Sequence, residues 1–162
     1  MPNIRHEVII GATAQEIYKT ISSPEGLRGW WTPETDFEPD NLLRFSFGPV
    51  YSKVMKIVIL EPFALVKWDC VDGAEEWIGT SISFQLHEGN REYMLQSHPE
   101  ATGQIQQQNS EYQTTLVVFE HDGWKSYTPM FAECNYTWGQ FLRSLKLLCE
   151  TGKGRPWPHQ HR

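Results

Sequence analysis

The 162-residue sequence predicts an α+β fold. In it an antiparallel sheet of about six or seven strands wraps around one long carboxy-terminal helix, with two short helices after the first strand. Three observations predict this. Residues 129–151 carry apolar side chains at helical spacing, opened by Thr128-Pro129 and closed by Gly152. The middle of the chain alternates apolar and polar residues between Gly, Pro and Asp turn signals, as hairpin-connected strands do. Two helix-start signals follow closely on the first amphipathic strand.

Residues 3–10 read as that strand, with Ile4, His6, Val8 and Ile10 on one face and Arg5 and Glu7 on the other. Thr13-Ala14-Gln15-Glu16 is a capping box, followed by Ile17, Tyr18 and Ile21 at helical spacing. Ser23-Pro24 starts a second helix, with Pro at the first helical position, and Gly29 marks its end. Leu43, Phe45 and Phe47 then alternate with Arg44 and Ser46. Residues 51–60 form a long strand rich in β-branched side chains. In residues 64–71, Val66, Trp68 and Cys70 share one face. Residues 77–87 place Ile78, Ile82, Phe84 and Leu86 opposite Gly79, Ser81, Ser83 and Gln85. Tyr93-Met94-Leu95 extends a strand, and residues 103–110, rich in Gln, form an exposed loop. Residues 114–121 are the last strand, with Val117, Phe119 and His121 on one face. On the long helix, Phe131, Cys134, Trp138, Phe141, Leu142, Leu145, Leu148 and Cys149 make the inner stripe. Glu133, Gln140, Arg143 and Ser144 fall on the far side.

Composition bounds the function. The sequence has 14 Lys and Arg against 20 Asp and Glu, a net charge of -6, which argues against nucleic acid as a partner. No apolar run reaches the ~18 residues of a membrane span. The first residues are too polar for a signal peptide. Cys70, Cys134 and Cys149 are odd in number and widely spaced, so a reducing cytoplasmic location is expected. One domain, residues 1–162, is expected from the length. Aromatic residues make up 13% of the chain, which fits a large core or a ring-lined cavity between sheet and helix.

Each candidate carries two readings. Trp30-Trp31 is either a plug joining helices to sheet or a ring at a cavity mouth. Trp68 and Trp138, facing each other across strand and helix, are either core or a stacking wall for a flat ligand. His121 is either a hydrogen-bonded core residue or a polar anchor and general base. Cys134 beside Asn135 is either a small buried hydrophobe or, with His121, a reactive pair. The six histidines show no metal-ligand spacing beyond His159 and His161, and no cofactor motif is present. Gly152-Lys153-Gly154-Arg155 follows a helix instead of a strand, so it reads as a helix stop.

Four passages resemble the START-like, or SRPBCC, helix-grip superfamily, and within it the branch named after activators of the heat-shock-protein-90 ATPase. They are the 9–18 strand-to-helix junction, Ser23-Pro24-Glu25-Gly26-Leu27 with Trp30-Trp31, the 115–124 strand and turn, and a carboxy-terminal set. That set comprises Cys134-Asn135, Trp138, the 142–146 run and Glu150-Thr151-Gly152-Lys153-Gly154-Arg155-Pro156. The Gln-rich stretch 103–109 is longer than the pattern has between its final strands. The resemblance implies a helix-grip fold with a pocket that takes hydrophobic molecules. The expected ligand-lining residues are Trp31, Phe45, Trp68, Phe119, His121, Phe131, Cys134, Asn135, Trp138 and Phe141. The expected function is non-enzymatic binding of a small apolar or aromatic molecule. The alternatives are a cyclase- or lyase-type enzyme using the same cavity, and a module that contacts a chaperone.

Overall fold

The computed structural model describes residues 1–106 and 113–162. Strand β1, Ile4–Ile10, leads into α1, Ala14–Ser22, where the Thr13 hydroxyl accepts the Glu16 N–H at 3.1 Å. Helix α2, Pro24–Trp30, begins the same way, with Ser23 Oγ accepting from Gly26 N–H. Five strands follow: β2, Glu34–Glu38; β3, Leu42–Ser46; β4, Ser52–Glu61; β5, Leu65–Asp72; and β6, Ser81–Gly89. Helices α3, Arg91–Ser97, and α4, Thr102–Gln106, precede β7, Thr114–Asp122. The chain then enters α5, Pro129–Thr151, capped by the Thr128 hydroxyl and ended by Gly152 at φ 83°. That left-handed backbone conformation is one that glycine adopts without a Cβ clash.

All neighbouring strands are antiparallel, in the order β1-β7-β6-β5-β4-β3-β2. The inner face holds one continuous core that includes Ile17, Trp30, Phe84, Phe119, Leu142 and Leu145. Helix α5 is tied to the sheet edge by Lys146, whose ammonium donates to the Ile9 carbonyl and pairs with Glu150 at 2.9 Å. Sheet, two early helices and long terminal helix therefore stand as the pattern predicts.

Four local readings change. The short edge strand β2 was not read from the sequence. Residues 77–79 form a turn, so Trp77 is buried while Ile78 is exposed. Tyr93-Met94-Leu95 is helical, because Asn90 caps it by accepting the Tyr93 N–H at 2.7 Å. The 103–110 loop is helical through Gln106, and its remainder lies outside the described residues. Met94 and Ile105 form a second core with Ile9, Leu116 and Val118 on the sheet's outer face. The β1–β7 edge is thus covered on both sides, not one.

Ser144 is also corrected. It is fully buried, donating to the Trp30 carbonyl at 2.8 Å and accepting the Arg155 N–H at 2.7 Å. The carboxy-terminal segment consequently folds back along α5. Trp157 N–H donates to Trp31 O at 2.8 Å, and Gly154 passes so close to Gly29 that a Cβ would stand 2.3 Å from its carbonyl oxygen.

Candidate functional site

The ring-rich interior is mostly filled by the protein's own side chains. Trp31 stacks on Trp68 at 6.1 Å with an interplanar angle of 8°, and its other neighbours include Trp138 at 5.0 Å and Phe45 at 4.2 Å. Trp68 and Trp138 therefore do not face each other across an open space; Trp31 fills the gap. Phe45, Trp68 and Phe119 are solid core. Phe131, at the start of α5, packs edge-on against Trp124 at 5.4 Å.

What stays open is a pocket of about 560 Å³ at one end of the grip. Phe47, Tyr51 and Lys53 form its strand side, and Trp77 enters from the β5–β6 turn. Met130, Glu133, Cys134, Thr137, Trp138 and Phe141 form the α5 wall, Trp31 reaches it from inside, and Trp157 and Gln160 cover it from the tail. Of the ten residues expected to line the cavity, Trp31, Cys134, Trp138 and Phe141 do so. Phe45, Trp68, Phe119, His121 and Phe131 lie behind it. Asn135 points elsewhere: it is exposed, and its Oδ1 is 3.1 Å from His6 Nε2. One residue along a helix turns the side chain by about 100°, which separates Asn135 from Cys134.

His121 takes the structural reading. Trp138 Nε1–H donates to His121 Nδ1 at 3.1 Å, and an indole can only donate. His121 Nε2 therefore carries the proton and donates to Thr80 Oγ1 at 2.8 Å. The Thr80 hydroxyl passes its own proton to the Trp77 carbonyl at 2.6 Å. Both ring nitrogens are engaged and the ring is fully buried. Burial, helped by the Lys53 charge, pushes the imidazole down to about 3, so it stays neutral. A neutral histidine whose single lone pair is already bonded is a poor general base.

Cys134 is partly buried, and its thiol is pushed up mainly by burial despite the nearby Trp77 N–H and Lys53, so the thiolate is disfavoured. All three cysteines are free. Among the described residues no three His, Cys, Asp or Glu side chains gather as a metal site requires, and no helix is long and apolar enough to cross a membrane.

The lining residues missed are Phe47, Tyr51, Lys53, Trp77, Met130, Thr137, the tail residues Trp157 and Gln160, and Glu133, which was expected on the far side of α5 and instead stands at the pocket's rim. Lys53 had a signal: it shares the strand face of Met55 and Ile57, where a charge is out of place. Trp157 had one too, since a bulky ring between two prolines in a tail gains by docking. Trp77 is buried, and its Nε1–H, beside Cys134, finds no hydrogen-bond partner; Gln160 Oε1 is likewise buried without one.

An Aha1 protein of Colwellia psychrerythraea, solved in solution as a dimer, is 31% identical to this chain. The match covers 95% of this chain and 100% of that one, with a TM-score of 0.73. The chain belongs to the Aha1 family. The family branch expected from the four sequence passages is therefore shown. A Bacillus halodurans protein (15% identity, 93% and 97% covered, TM-score 0.60) shares the fold. So does a protein of unknown function from Enterococcus faecalis (19% identity, 93% and 72% covered, TM-score 0.61). No family model matches the chain, and no curated protein matches it.

Proposed function

We propose that this Aha1-family protein binds a small, flat, largely apolar molecule in the pocket between the sheet and α5, under the carboxy-terminal tail. The observation that carries this reading is the pocket itself. It is about 560 Å³ in volume, walled chiefly by aromatic rings, with Lys53, Glu133, Thr137 and Gln160 as its few polar residues. Sites of that size and make-up suit small organic ligands, with burial supplying affinity and few polar groups supplying orientation. The rings are already held in place by one another, so little ordering remains to oppose binding.

A binding role is favoured over a cyclase- or lyase-type reaction because His121 is locked as a neutral structural residue and Cys134 is held as a thiol. The chaperone-contact reading rests on the family name, whereas the binding reading rests on a cavity.

Calorimetry with 2-naphthamide, a neutral flat probe, tests the reading. One saturable site is expected. Thr137→Phe, which fills the pocket from its α5 wall, is expected to abolish it, and Gln140→Ala, outside the pocket, to leave it intact. Absence of binding, or binding indifferent to Thr137→Phe, would defeat the proposal.

A further inference from the structure

Lys53 is a cation placed where the packing alone gives it no counter-charge. It lies on the apolar face of β4 and is 7% exposed. Its ammonium stands 3.8 Å from the Trp77 ring centroid, 4.6 Å from Phe47 and 4.8 Å from Tyr51. Ring faces attract a cation by their quadrupoles, but they are weak acceptors for the three N–H donors an ammonium carries. Among the described residues no carboxylate, carbonyl or hydroxyl accepts any of the three.

The groups around it do not neutralise it. Cys70 on β5 and Cys134 on α5 are both pushed up by burial and stay protonated at neutral pH. Tyr51, just before β4, is pushed up as well, and His121 on β7 is neutral. Glu133 on α5 is an exposed rim residue, and Glu76 lies in the β5–β6 turn; neither forms an ion pair with Lys53. Beside Lys53, Trp77 Nε1–H is a second donor without an acceptor. A buried charge without a partner is costly. Here the charge borders an open, ring-walled space.

We propose that Lys53 is an anion-anchoring residue, and that the ligand is a flat apolar molecule bearing one carboxylate. The carboxylate pairs with the Lys53 ammonium, while the apolar body lies against Trp77, Trp138 and Phe141. This rests on the pocket-binding reading above and names its ligand class. In the empty protein burial holds the Lys53 ammonium down at about 8, and a bound carboxylate raises it again, since an opposite charge favours the charged form.

The test compares 2-naphthoate with 2-naphthamide, which share a ring system and differ in charge. Calorimetry at pH 7 is expected to give at least ten-fold tighter binding of the acid. Lys53→Met, which keeps an unbranched apolar stem and removes the charge, is expected to abolish that preference while retaining amide binding. In the wild-type protein the preference is expected to fall as pH rises above 8, with amide binding unchanged; this arm needs no variant to fold. Equal affinities in the wild-type protein, or a preference that survives Lys53→Met or pH 9.5, would overturn the assignment and leave the pocket reading standing. If neither probe binds, the pocket reading falls first and the assignment with it.

Discussion

Acidification perturbs the His121 relay, and its size follows from the relay's geometry. The folded imidazole is held down at about 3 by burial and by Lys53, whereas an unfolded histidine titrates near 6.5. Below 6.5 the unfolded chain takes up a proton that the folded chain refuses. The stability this supplies is therefore complete above pH 6.5 and lost as pH falls towards 3. At pH 5 the loss is about 2 kcal/mol, and this figure holds for any folded value below 4.5. His121→Gln isolates it. A glutamine oxygen can accept the Trp138 N–H and its amide can donate to Thr80, but it does not titrate. The variant forfeits ring contacts with Trp77 at 4.5 Å and Trp124 at 4.9 Å, which costs ~1–3 kcal/mol at pH 7.5. Urea titrations of both proteins at pH 7.5 and pH 5 are the assay. The gap between them is expected to shrink by about 2 kcal/mol at pH 5, because only the wild-type protein carries the His121 penalty. Parallel pH profiles would refute the buried, neutral relay.

Two further outcomes follow from packing. Leu145 is fully buried against the sheet while Leu147 is only partly buried, so in denaturant titrations Leu145→Ala is expected to cost ~2–5 kcal/mol and Leu147→Ala far less. Gly154→Ala sets a Cβ 2.3 Å from the Gly29 carbonyl oxygen and 3.1 Å from Ser144. The tail is expected to lift, costing ~1–3 kcal/mol, and the Trp157 amide, bonded to Trp31 O, to exchange its hydrogen faster. An unchanged exchange rate would show that the tail is not held at this crossing.

The fold was legible wherever one physical signal dominated. The apolar 129–151 stripe, the Thr13 and Ser23 caps and the alternation of β3, β5 and β6 from Ser81 on each have a local cause, and each appears as read. The failures share another cause. Met94 and Ile105 are isolated apolar residues in polar surroundings, and only the outward-facing Ile9, Leu116 and Val118 explain why they are buried. Leu116 and Val118 were visible in a strand apolar on both faces, a pattern of double-sided burial. Ser144 reads as an outward polar residue until the returning tail gives its hydroxyl two backbone partners. At the site, nine of the ten expected side chains face the interior, and Asn135, beside Cys134 on α5, is exposed. Periodicity does not say which inward rings touch each other and which touch empty space. Trp31 decides that by sliding between Trp68 and Trp138, moving the opening toward Phe47, Lys53 and Trp77.

The central claim, a ligand pocket at the Trp77 end of the grip, has a built-in set of reporters. The chain has seven tryptophans. Trp31, Trp77, Trp138 and Trp157 line the pocket, while Trp30, Trp68 and Trp124 do not. The indole N–H resonances of nitrogen-15-labelled protein, followed during titration with 2-naphthamide, test the claim most directly. The account predicts saturable shifts for the first four, including the unpartnered Trp77 N–H, with Trp30, Trp68 and Trp124 nearly still. Shifts spread evenly over all seven, or confined to Trp30, Trp68 and Trp124, would contradict it.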